Sequence, residues 1–257
     1  MKNVFKVLGI IVLVAVIGFS MVSCGDDDDS DGGGAGGGGG GAGGGGGNNT
    51  VTQPTNTLTD AEALGRWLVS QPSNYNNPYT IKFNGDDIGE LGRWLKGGAK
   101  NKYINLDLSG STATTIPDNA FYENNRGYYG LLSIIIPNTV TSIGQNAFTL
   151  TGLISVTIPN GNIVGGAFSK CEDLKSVTIK SGVTKIGNRA FYDCGLLESV
   201  TFEEGSNIAD ADFGNDVFYY VHWALGNVDG NALKTAYKTG GAGTYKRTDS
   251  GPVWTKQ

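Results

Sequence analysis

Leu174-Lys-Ser-Val-Thr-Ile179, followed after six intervening residues by Ile186-Gly-Asn-Arg-Ala-Phe191, decides the fold of this chain. In the first segment Val177 and Ile179 are apolar and Ser176 and Thr178 polar, the period of two expected of a strand with one buried face. Four further segments align with it, Tyr103–Leu108, Leu131–Ile136, Leu153–Ile158 and Leu197–Phe202, and successive starts are 28, 22, 21 and 23 residues apart. The second segment keeps the same rhythm. Ile116, Ile143, Ile163, Ile186 and Ile208 each stand five residues before Phe121, Phe148, Phe168, Phe191 and Phe213. Ala120, Ala147, Ala167 and Ala190 precede four of these rings; Asp212 precedes the fifth, which places Phe213 near an exposed end. A single coil of this length cannot bury its apolar side. Stacked coils can, with equivalent side chains forming ladders about 4.8 Å apart. Pro137 and Pro159, lacking an N–H to donate, are expected to end their strands and turn the chain.

The pattern Leu-x-Ser-Val-Thr-Ile-Pro followed by Ile-Gly-x-x-Ala-Phe-x-x-Cys, carried best by Leu153–Pro159 and by Leu174–Leu197, resembles the BspA-type leucine-rich repeat. The resemblance covers residues 103–213 in five imperfect copies. It implies an α+β repeat fold, a leucine-rich-repeat solenoid of about five coils, on a secreted or surface-anchored bacterial protein of the treponeme and oral-anaerobe type. It also implies adhesion to extracellular or host ligands through protein–protein contacts. Cys171 and Cys194 each follow the ring by three residues and so occupy one position in adjacent coils. A disulfide between them is within geometric reach, and stacked free thiols are the alternative that the family's use of a small buried cysteine favours.

Both ends of such a column need covering. Residues 57–102 read as a helical N-terminal cap. Asp60 opens a helix running to about Val69, Tyr79–Phe83 is a strand, and Asp87–Lys96 is a second helix stopped by Gly97-Gly98. Gly-Arg-Trp-Leu occurs at 65–68 and again at 92–95, and Trp67 and Trp94 are expected to seal the open end. Residues 214–257 read as an α/β C-terminal cap: a helix at Asn231–Lys238, then a hairpin of Tyr245–Thr248 and Val253–Lys256 over the last strand's unpaired edge.

Upstream of the caps, Lys2 and Lys6 precede the apolar run Val7–Phe19, too short to span a bilayer comfortably and typical of an export signal. The segment resembles a bacterial lipoprotein signal over residues 1–23, which implies lipidation at Cys24. Residues 24–56 then form an anchored Asp/Gly-rich tether. Gly32–Gly47 is glycine but for two alanines, and Asp26–Asp29 with Asp31 carry five of the chain's 24 acids. A Gly-rich coil from Gly25 to Thr50 reaches about 28 Å. The expected location is the outer membrane, at the cell surface, with the membrane contacted through the lipid alone.

Composition narrows the function. The chain carries a net charge of −5, and the part after the glycine block has 17 Lys+Arg against 19 Asp+Glu, with no basic stripe to suit nucleic acid. One histidine, His222, has no nucleophile in a competent setting beside it; no carboxylate pair suits glycan hydrolysis; and the glycine block neither follows a strand nor opens a helix, so it cradles no phosphate. No enzyme, cofactor or metal site is expected. Asp86-Asp87 reads as a turn and helix cap. A binding site is expected on the outward strand face. There Leu132, Ile135 and Ile154 replace the polar residues found lower down, Lys175, Thr178 and Glu198. Such a patch is either a contact surface or is covered by the insert Tyr122–Tyr129, whose Tyr122, Tyr128 and Tyr129 are themselves candidate contacts. The reading is a binding module for an extracellular or host protein; the alternative is a periplasmic structural or envelope-assembly lipoprotein.

Overall fold

The computed structural model describes residues 53–55, 58–72, 77–98, 102–123, 129–222, 226–228, 230–247 and 253–257. The signal, Cys24 and all of the tether but residues 53–55 lie outside these residues.

Helix α1 spans Ala61–Ser70, and the Asp60 carboxylate accepts the Ala63 N–H at 2.9 Å as its N-terminal cap. Strand β1 (Tyr79–Lys82) follows, then α2 (Ile88–Gly98), capped in turn by Asp87 accepting the Glu90 N–H at 2.8 Å. Trp94 is wedged between the helices: a Cβ on Gly65 of α1 would come within 2.8 Å of the Trp94 Cβ. Trp67 meets Tyr79 edge-on at 6.2 Å. Both tryptophans are partly buried against the same continuous core.

Strands β2 (Lys102–Asp107), β3 (Thr115–Ile116), β4 (Tyr129–Ile135), β5 (Ser142–Ile143), β6 (Ser155–Ile163), β7 (Ser176–Ile186) and β8 (Ser199–Phe202) build the coils. On one face, β1, β2 and β4 form a parallel sheet; β6, β7 and β8 pair in parallel, Val156 with Val177 and Val177 with Val200. On the adjoining face β3, β5 and the far halves of β6 and β7 set Ile116, Ile143, Ile163 and Ile186 in one register. Pro159 does not end its strand. It lies inside β6 at a slip in pairing, where Ile158 faces Ile179 but Asn160 faces Gly182, and an irregularity of this kind tolerates a residue without an N–H.

Between the two faces runs a column of phenylalanines. Phe121, Phe148, Phe168 and Phe191 stack with centroids 5.2, 4.9 and 5.1 Å apart and planes within 14°. Each ring residue donates its N–H to the carbonyl one coil on, Phe121 to Ala147, Phe148 to Ala167 and Phe168 to Ala190, at 2.7–2.8 Å. The fifth ring is Phe218, 5.3 Å from Phe191, and the Phe191 N–H donates to Val217. The expected fifth ring, Phe213, is buried, not near an exposed end, and bridges Ile186 in the isoleucine ladder. The true last copy is Phe213-Gly-Asn-Asp-Val-Phe218, set against Ile186-Gly-Asn-Arg-Ala-Phe191. The longer connection before it, containing the short helical turn Asp210–Asp212, displaces the register by five residues and hides the match.

Each coil turns sharply around its ring. Two residues before it, Asn119, Asn146, Arg189 and Asp216 hold φ of 51–57°, with Gly166 in the third coil; two residues after it, Leu150, Lys170 and Asp193 do the same at 57–65°. Left-handed backbone at non-glycine residues costs about 1 kcal/mol or more apiece, offset here by the ring and carbonyl ladders. Cys171 and Cys194 are buried free thiols that donate to the Phe148 and Phe168 carbonyls, each at 3.1 Å. Thr151 fills the same position one coil earlier and donates to the Phe148 carbonyl too, at 2.8 Å.

After the last ring come β9 (Tyr220–His222) and β10 (Gly226–Val228), an antiparallel pair; the side chain of His222 is outside the description. Helix α3 (Ala232–Gly240) leads to β11 (Gly243–Arg247) and β12 (Trp254–Lys256). Strand β11 pairs antiparallel with β8 and takes up its free edge, and β12 pairs with β11. Arg247 ties this hairpin down. Its guanidinium donates to the Gly195 carbonyl at 2.8 Å and lies 4.2 Å over the Tyr220 ring, and burial lowers its pKa.

Candidate binding face

The outward residues of the strand face fall into rows because parallel strands in register repeat the same pleat. One row is Leu132, Ile154, Lys175, Glu198 and Arg247, traced by successive N–H to carbonyl bonds: Ile154 to Leu132 at 3.1 Å, Lys175 to Ile154 at 2.8 Å, Glu198 to Lys175 and Arg247 to Glu198 at 2.9 Å. Across the face it runs from aliphatic to alternately charged. Ser155, Ser176 and Ser199 form a second row. Beside it, Thr157, Thr178, Thr201 and Thr244 form a third, its last two hydroxyls 3.0 Å apart, while Ile135 faces Asp107 in the first sheet.

The aliphatic end of this face sits at an interruption. Strands β4 and β6 are neighbours but belong to different sheets, so the ladder breaks between them. Ile135 on β4 is 55% exposed and Ile154, just before β6, is 46% exposed; Leu132 is half-buried. An aliphatic side chain left this open forgoes most of the 1.5–3 kcal/mol or so that full burial contributes. Both isoleucines therefore stand uncovered on either side of the break. Of the insert, Tyr122 is half-buried at its start; Tyr128 and the side chain of Tyr129 lie outside the described residues. The structure thus sets Ile154 next to Leu132, places Ile135 three residues further along β4 opposite Asp107, and leaves the tyrosines' part undefined.

Other residues singled out in the sequence have structural positions. Asp86 reaches across to the turn after β2, accepting the Thr112 N–H and hydroxyl, each at 2.7 Å, and the Ser111 hydroxyl at 3.1 Å; these donors hold its carboxyl below the usual range. Burial among apolar neighbours, with Cys171 beside it, pushes the Cys194 thiol well up. Among the described residues no group of three or more His, Cys, Asp and Glu is placed to hold a metal, and no helix is long and apolar enough to cross a membrane. Apart from Thr178, the threonine row is the part of the face not anticipated from the sequence. Its signal is the Ser-Val-Thr triplet at 155–157, 176–178 and 199–201, whose third residue faces outward each time.

The comparison with known families agrees with this geometry. The family model for the BspA type leucine rich repeat region matches residues 99–222 in six copies, and no curated protein matches the chain. The match runs past Phe213 to include Phe218, as the ring column does. Repeats of this type generally serve protein–protein interaction or adhesion, on a solenoid that is typically a non-enzymatic scaffold. By its repeats over residues 99–222, the chain is a BspA-type leucine-rich-repeat protein.

Proposed function

We propose that this protein is a lipoprotein anchored through Cys24 and displayed at the cell surface, where its strand face binds an extracellular or host protein. The observation that carries the reading is the pair of open isoleucines, Ile135 and Ile154, the second of them in one row with the alternating charges of Lys175 and Glu198. Clustered exposed aliphatics next to charged groups supply a desolvated centre and an orienting rim, the usual anatomy of a protein contact. The tether holds that face away from the membrane. The protein acts by binding alone.

Purified residues 51–257 tested against immobilised matrix proteins and host-cell surface proteins give saturable binding, which Ile135→Asp with Ile154→Asp abolishes while thermal unfolding stays unchanged. Binding that survives the double substitution overturns the assignment of the face. Protease treatment of intact cells addresses display separately. Loss of the protein supports the surface, and protection shifts the role to envelope assembly in the periplasm.

A further inference from the structure

On the side of the solenoid where the chain turns around the rings, a groove of about 480 Å³ opens at the third coil. Its origin is a gap in a row of long polar side chains. The two residues preceding the alanine of each ring turn are Gln145-Asn146 in one coil and Asn188-Arg189 two coils on; between them stand Gly165-Gly166. The glycines leave a notch one coil wide. It cannot be filled by simple substitution: Gly166 holds φ of 71°, and a Cβ there would lie 2.6 Å from Oδ1 of Asn146, which leans over it. Ser169 then replaces the bulkier tyrosine of the next coil, extending the hollow toward Tyr192. Tyr192 is itself fixed from behind by Tyr219, stacked 5.2 Å away at 10°.

The lining has a definite chemistry. Lys170 and Arg189 are both exposed, and among the described residues neither has a carboxylate within ion-pair distance. The Arg189 guanidinium rests 5.5 Å from the Tyr192 ring centre. No acidic residue lines the groove, although the chain carries a net charge of −5. Amide groups of Gln145, Asn146 and Asn188 face the same space; Asn188 spends its oxygen on the Asn215 N–H at 2.8 Å and so keeps its amide hydrogens to donate. The one ring aside, the groove offers no apolar side chain to anchor a peptide. Two unpaired cations are too few to hold a nucleic-acid backbone by counterion release. Two positive charges, three amides, a hydroxyl and an aromatic group suit a hydroxyl-rich ring bearing an anionic substituent.

We propose that this groove binds an acidic saccharide, its carboxylate or sulfate held by Lys170 and Arg189 and its hydroxyls by the surrounding amides. The site is separate from the strand face, so the two proposals stand or fall independently. The test uses the full chain in titration calorimetry at physiological salt against heparin, polygalacturonate, dextran and a single-stranded oligonucleotide. Heparin or polygalacturonate binds saturably, dextran and the oligonucleotide do not, and Lys170→Gln with Arg189→Gln weakens binding at least tenfold with an unchanged melting curve. The control Lys246→Gln, on β11, leaves the affinity within twofold. Preference for heparin assigns a sulfate and preference for polygalacturonate a carboxylate. No binding of either polymer, equal binding of the oligonucleotide, or equal losses in the double variant and the control overturns the proposal.

Discussion

Phe213 and Phe218, five residues apart, belong to different ladders: Phe218 lies parallel to Phe191 at 5.3 Å and 2°, while Phe213 bridges Ile186. The arrangement is testable by double-mutant cycles. Phe191→Ala and Phe218→Ala each cost about 3–5 kcal/mol of unfolding free energy, and their coupling energy is about 0.5–1.5 kcal/mol. A Phe191–Phe213 cycle couples by less than about 0.5 kcal/mol. Urea denaturation of the three single and two double variants measures this; the reverse ordering would return Phe213 to the ring column.

The thiols make a second prediction. Cys171 and Cys194 are buried, and the desolvated Cys194 site disfavours the thiolate that reagents attack. In protein beginning at residue 51, neither reacts with an aromatic disulfide reagent at pH 8 over minutes, and both react at once in denaturant. Cys194→Ser is tolerated better than Cys194→Val, because a hydroxyl keeps the bond to the Phe168 carbonyl; Thr151, at the same turn position two coils earlier, already donates its hydroxyl to a ring-residue carbonyl, that of Phe148 in its own coil. Rapid native labelling would mean the ring turns open more readily than their packing implies.

Two glycines of α2 should respond in opposite directions. A Cβ on Gly92 would fall 1.8 Å from the Ala120 carbonyl oxygen, where the helix meets the first ring turn, so Gly92→Ala destabilises by about 1–3 kcal/mol or more. Nothing lies within 4 Å of a Cβ on Gly97, and Gly97→Ala stabilises by about 0.4–1 kcal/mol. Melting temperatures of the two variants suffice. A neutral Gly92→Ala would show that α2 does not sit tightly on the coil.

Acid should loosen the junction between this helix and β2. The Asp86 carboxyl is held below its ordinary value of 3.8 by the Thr112 and Ser111 donors. A depressed folded value means that the ionised form contributes stability fully above the ordinary value, and that this contribution is lost as pH falls through the folded one. Asp86→Asn, an amide that does not titrate, removes that part of the acid dependence. Stability measured from pH 6 downward then falls less steeply in the variant than in the parent; parallel curves would count against the linkage.

How far the sequence discloses this molecule depends on what each feature is made of. Strands, rings and isoleucine ladders were legible because each rests on side-chain chemistry recurring at nearly constant spacing. Ile135 and Ile154 stood out because they interrupt that recurrence with aliphatic residues on an outward row. Phe218 was missed because the insertion before it shifts the count, and Phe213 happened to stand at the expected distance from Ile208. The continuation of β6 through Pro159 was hidden for a different reason. A proline forbids a ladder hydrogen bond, but whether the strand stops or slips past it is decided by the pairing partner. The groove at Gly165-Gly166 was overlooked because a pair of glycines carries no chemistry of its own and becomes meaningful only once Asn146 and Arg189 are known to flank it.

The in-register pairing of β6, β7 and β8 also bears on ancestry. Ser, Val and Thr meet their own kind in the next coil, so a copied block of one coil's length would find suitable partners above and below. Such a block fits only upstream of β8, because β11 runs the opposite way and offers a newcomer no parallel template. Kin of this chain should therefore vary in height by whole coils gained or lost in mid-array, while the closing segment travels unchanged at the far end.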